Sequence, residues 1–174
     1  MRAILKSSLL WISTVILFGV HTISYGQENS SVAPEKFSCD LSKLDSLIGT
    51  VSLSLGSEKS VTDALPCLVS LWQTNRNRGA GAFYVSNALL SVMEANPKVF
   101  FSMMLNEPKV LAEWLHDLPD VSFTWSDGPP CGLEEKRKQL VILLKHVKIS
   151  DRNVLAVKQK VLQRLSTIRC RQID

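Results

Sequence analysis

The chain has 174 residues, 45% hydrophobic and 21% charged, with a formal net charge of +4. That length gives one domain with enough interior to fold without a metal or partner, and that apolar share excludes a disordered chain. Eight Gly and seven Pro exclude collagen-like and proline-rich architectures, and four Cys are too few for a cysteine-dense miniprotein.

Residues 1–26 have the feature order of a secretory signal peptide. Arg2 and Lys6 open it, Leu9 to Val20 is mostly apolar and uncharged, and Ser24 and Gly26 place small residues before a cut at Gly26/Gln27. The apolar run falls short of the roughly 18 residues a membrane anchor needs, and Ser13 and Thr14 interrupt it. The expectation is a secreted or periplasmic protein with no transmembrane segment in the mature chain. Loss of Arg2 and Lys6 leaves 18 Lys+Arg against 16 Asp+Glu. Residues 27–37 read as a flexible polar leader and 38–174 as a single all-α domain.

Leu41, Leu44, Ile48, Val51 and Leu55 recur at helical spacing from Asp40, and Gly56 suits the stop. A strand over Val51, Leu53 and Leu55 competes with that reading. A second helix is predicted from Thr62 or Asp63, with Pro66 in its first turn and Leu65, Leu68, Val69 and Trp72 inward. Residues 79–95 form a third, with Phe83, Val85, Leu89, Leu90 and Val92 inward. Asn96-Pro97 and Asn106-Glu107-Pro108 start two more.

Residues 119–132 read as one irregular loop, with Val121, Phe123 and Trp125 alternating in a short extended segment before Asp127-Gly128-Pro129-Pro130. Two last helices follow over 133–148 and 151–169, the latter capped by Ser150. The predicted architecture is six or seven antiparallel helices, as an irregular bundle or a short stack of helical hairpins. The segment from Ala64-Leu65-Pro66-Cys67-Leu68 through Ala88-Leu89-Leu90 resembles a HEAT-like helix pair over about 60 residues. That resemblance implies a solenoid-like binding surface and carries over no catalytic residue.

An even cysteine count in an exported chain predicts disulfides. If 133–148 and 151–169 fold back on each other, Cys131 and Cys170 come to the same open end, so they pair and leave Cys39 with Cys67. Each bond is worth about 2–4 kcal/mol. Cys and His are not at metal-ligand spacing, and no metal site or cofactor is predicted.

No nucleophile elbow, zinc-protease motif or calcium loop is present, so no catalytic residue is assigned. The alternative is a small hydrolase or lyase using His116 with a nearby carboxylate, Asp117 or Asp120. Arg76 and Arg78 precede Gly79-Ala80-Gly81 and form a candidate anion pocket, against the simpler reading that the glycines permit close helix packing.

Phe123, Trp125 and Asp127 are candidate binding residues in the 119–132 loop, unless the aromatics tuck into the core. Charge is divided unevenly. Residues 133–174 hold eleven Lys+Arg against four Asp+Glu, and residues 27–132 hold seven against twelve. Lys136, Arg137 and Lys138 therefore mark a candidate surface for an anionic partner, either envelope or matrix material or an acidic protein. Nucleic acid is not expected, because the basic stretch has no interleaved aromatics. The leading expectation is a non-enzymatic binding or structural protein.

Overall fold

The computed structural model describes residues 39–54, 56–125 and 131–172, with Trp125, Cys131, Arg171 and Gln172 described by backbone alone. The predicted signal peptide and leader, as well as Asp127, lie outside the described residues. The fold is all-α, as expected. After a 3-10 turn at Leu41–Lys43 come α1 (Leu44–Leu53), α2 (Glu58–Asn75), α3 (Ala80–Ala95), α4 (Pro97–Met104), α5 (Pro108–Ser122), α6 (Cys131–His146) and α7 (Arg152–Thr167). Two residues, Thr124–Trp125 (β1), pair in parallel with Arg171–Gln172 (β2).

The apolar stripes of these helices meet in one core. Trp72, Phe100, Phe101, Trp114 and Phe123 are its largest fully buried side chains. Phe100 meets Trp114 edge-on at a centroid distance of 5.8 Å, a favoured aromatic geometry. A short polar chain crosses this core: Trp114 Nε1 donates to Ser86 Oγ at 2.9 Å, and the Ser86 and Ser122 hydroxyls are 2.7 Å apart. Burying these groups is tolerable because they satisfy one another.

Several helix boundaries differ from the sequence-based ones. The region after Asp40 starts as the 3-10 turn, and Val51 and Leu53 of the competing strand belong to the end of α1, with Leu55 outside the described residues. Helix α2 begins at Glu58, a full turn earlier than predicted. Ser57 caps it by accepting from the Ser60 amide, and buried Val61 extends its apolar stripe backward. Pro66 is therefore inside the helix, where it cannot donate to the carbonyl one turn back. Asp151, and not Ser150, caps α7, its carboxylate accepting from the amides of Asn153 (2.8 Å) and Val154 (2.9 Å). Phe83, predicted inward, is 44% exposed and rests edge-on against Tyr84.

The largest correction concerns 119–122, which continues α5 through Pro119. A proline there removes the amide that would bond Leu115 O. Arg164, reaching across from α7, supplies the missing donor, Nε to Leu115 O at 2.7 Å, and adds a bond from Nη2 to His116 O at 2.9 Å. Helices α5 and α7 are thus fastened by the repair of a helix defect. Arg164→Ala is expected to cost about 1–3 kcal/mol in chemical unfolding. The same change in a Pro119→Ala background, where the backbone amide is restored, is expected to cost about 1 kcal/mol less. Equal costs in both backgrounds would contradict this compensation.

Candidate functional site

The α6–α7 hairpin holds cations of two kinds, and burial separates them. Arg137, Lys158 and Arg164 are structural. Arg137 grips Glu134 with two bonds, Nε to Oε2 at 3.0 Å and Nη2 to Oε1 at 2.5 Å, and its Nη1 donates to Leu165 O at 2.7 Å, closing the end of α7. Lys158 is only 8% exposed, and its Nζ donates to Val147 O at 2.7 Å, just past the end of α6. Cations suit these positions because helix carbonyl ends carry partial negative charge. Arg137 is consequently unavailable to a partner, a correction to its expected role beside Lys136 and Lys138.

The second kind faces solvent. Lys138 and Lys145 on α6, Lys148 in the turn, Arg152 and Lys160 on α7, and Arg169 beyond it are exposed. Among the described residues, none of them makes a salt bridge. Of the nearby carboxylates, Glu134 is held by Arg137, Asp151 accepts from the α7 amides, and the exposed Glu135 forms no salt bridge among the described residues. Lys136 is half-buried.

Arg137 also holds the Glu134 carboxyl well below its ordinary range, at about 2, with a lesser contribution from the Cys170 thiol. Lowered from 4.5, this carboxyl stabilises the fold fully above about pH 4.5 and loses that contribution as pH falls toward 2. Wild type should therefore melt above Glu134→Gln near neutrality, and the two should converge near pH 2. A gap that stays constant through the acid range would contradict this.

Cys39 and Cys67 form a disulfide with Cα atoms 5.3 Å apart, tying the entry of α1 to α2 as expected. Cys170 is a free thiol, pushed up to about 11 by burial and by Glu134, which it faces. The expected Cys131–Cys170 bond is thus not formed at Cys170, and the Cys131 side chain lies outside the described atoms.

The other candidates separate in the same way. Arg76 is committed to Glu113 (2.7 Å) and Asp117 (3.1 Å) on α5, while Arg78 is exposed. An added Cβ at Gly81 would lie 3.2 Å from Asn75 Oδ1, so this glycine allows α2 and α3 to approach closely, the simpler of its two readings. Phe123 is wholly buried, which removes it from any binding surface. Trp125 is placed only by its backbone pairing with β2.

His116 Nδ1 lies 2.7 Å from Asp117 Oδ1, but the His116 side chain is 84% exposed and Asp117 is shared with Arg76. His116 lies within α5.

One depression adjoins the basic hairpin. It has a volume of about 500 Å³ and lies where the α6–α7 turn meets the start of α4, lined by Gly56, Asn96, Lys98, His146, Val147 and Lys148 among others. No carboxylate lines it. Asn96 builds one wall: its Nδ2 donates to Gly56 O at 2.9 Å and its Oδ1 accepts from Val99 N at 3.3 Å. Sequence reasoning missed this place because its cations come from residues 50 apart. The Asn96-Pro97 helix start and the charge excess after residue 132 were its only legible parts.

Among the described residues, no three of His, Cys, Asp and Glu converge as metal ligands, and no helix is long and apolar enough to cross a membrane. Compared with known protein families, curated proteins and solved structures, the chain matches none.

Proposed function

We propose that this is an exported, non-enzymatic binding protein whose α6–α7 hairpin engages an anionic partner. The observation that carries the reading is the set of exposed cations on α6, α7 and their turn that form no salt bridge among the described residues. A solvated ornamental surface gains from mixing both signs; this one concentrates a single sign while the rest of the chain carries the acidic excess. Export rests on the character of residues 1–26, and the Cys39–Cys67 bond suits an oxidising compartment. The binding role rests on cations held on two rigid helices, a geometry that presents charge at fixed spacing.

The test replaces Lys138, Lys145 and Lys160 with Gln together. All three are exposed and form no ion pair among the described residues, so folding should be unaffected. The variant is expected to elute from a sulfonated matrix at clearly lower salt than wild type. Unchanged elution would remove the hairpin as the binding surface.

A further inference from the structure

We propose that the depression between the α6–α7 turn and the start of α4 is a seat for a phosphate- or sulfate-class oxyanion. This rests on the reading of the hairpin as an anion-binding element and narrows it to one place and one chemistry.

Three observations converge. First, Lys98, His146 and Lys148 surround a concave space with no carboxylate in its lining. Glu94 lies four residues before Lys98 but forms no salt bridge with it. Second, Lys158 is more than nine-tenths buried and has no carboxylate within salt-bridge distance among the described residues. Its ammonium is satisfied once, by the carbonyl of Val147, and Val147 lines the depression. An ammonium has three donors, and a buried charge without a counter-charge is costly. Lys158 does not itself line the depression, so an anion seated there would act on its charge across the Val147 peptide.

Third, one amide at the start of α4 has no hydrogen-bond partner among the described residues. Pro97 has no N–H, and the Val99 amide is taken by Asn96 Oδ1 at 3.3 Å. The Lys98 amide is left, at the positive end of the helix. Two exposed ammonium groups, a histidine, an open amide and a buried lysine behind the wall match a small multivalent oxyanion better than a single carboxylate. Four or more donor groups meet the several acceptor oxygens of phosphate.

The experiment uses ¹⁵N-labelled protein titrated with inorganic phosphate against chloride at constant ionic strength. Saturable shifts are expected at the amides of Lys98, Val147 and Lys148, together with a melting temperature raised by about 3 °C or more at saturation. Lys98→Ala with Lys148→Ala should abolish the saturable shifts, while Lys138→Ala with Lys160→Ala should leave them intact. Phosphatidylglycerol vesicles distinguish the source. Competition with phosphate for the same amides identifies a lipid headgroup as a fitting ligand, and its absence identifies the free oxyanion; both support the seat. No saturable shift with phosphate, or equal loss in both double variants, overturns it. Matrix retention is read with Lys138, Lys145 and Lys160, so this proposal and the broader one fail separately.

Discussion

Trp114→Ala is expected to destabilise the protein by about 3–5 kcal/mol, lowering the melting temperature by roughly 10–20 °C. Trp114 has no exposed surface and packs edge-on against Phe100. Its removal leaves a cavity that the neighbouring Phe100 ring cannot fill, because that ring is fully buried and fixed on α4. The indole also donates to Ser86, whose hydroxyl is linked to that of Ser122. Alanine therefore removes a donor from a buried polar chain as well as the ring. Trp114→Phe separates the two contributions: it keeps most of the volume and is expected to cost about 1–2 kcal/mol, much of it from the lost hydrogen bond to Ser86. Chemical unfolding of both variants checks the pair. A Trp114→Ala cost below about 1 kcal/mol would place the tryptophan outside the core.

Gly56→Ala is expected to be nearly as damaging, at about 2–5 kcal/mol, although it adds a single methyl group. Gly56 has a positive φ of 64°, a conformation that costs a residue with a Cβ about 1–2 kcal/mol. Its added Cβ would also lie 2.4 Å from the backbone oxygen of Ala95, at the end of α3. The close atoms of Ala95 are its carbonyl and its methyl and not a flexible side chain, so the clash must be relieved by moving the α1–α2 connection away from α3. That movement breaks the bond from Asn96 Nδ2 to Gly56 O and loosens the start of α4. Gly79 provides the control. It also has a positive φ, of 46°, but an added Cβ there meets nothing within 4 Å. Gly79→Ala should therefore show only the conformational part of the cost. Equal losses in urea unfolding would mean that the contact with Ala95 contributes nothing.

Those two glycines show what was legible in the sequence. Gly56 was readable as a helix stop, because the αL requirement is local and glycine meets it cheaply. Its contact with Ala95 was not readable, since it joins residues 39 apart. The same division runs through the fold. Asn96-Pro97 marked the start of α4 correctly because a cap and a proline act within one turn. Pro119 was misread as the start of a loop for an equally good local reason. Its missing amide is compensated by Arg164, 45 residues later in the chain, and no local rule contains that donor. Pro66 was misplaced because the apolar stripe of α2 runs one turn further back, to Val61.

The candidate surface followed the same pattern. Charge excess after residue 132 was legible as composition, but the division of labour was not. Arg137 looked equivalent to Lys138 in the sequence, yet it is bound to Glu134 and to a helix carbonyl, while Lys138 faces solvent. Arg76 was likewise read as a free cation and is committed to two carboxylates on α5. Phe123 alternates with polar neighbours, which allowed either a surface strand or a tucked one; full burial selects the second. Pairing and burial are properties of the folded neighbourhood, and sequence alone supplies only the list of candidates.

We propose that the location of the hairpin cations, and not the charge of the whole chain, carries anion binding by this protein. It is tested most directly by two variants of equal net charge. One replaces Lys138, Lys145 and Lys160 with Gln; the other replaces Lys43, Lys59 and Lys109, exposed lysines of the remaining body. Affinity for vesicles rich in phosphatidylglycerol is measured across a salt series, since exposed charges more than about 10 Å apart are largely screened at 0.1 M. The account predicts that the hairpin variant loses most of its binding and of its salt dependence, and that the body variant keeps both. Equal losses in the two variants would contradict it.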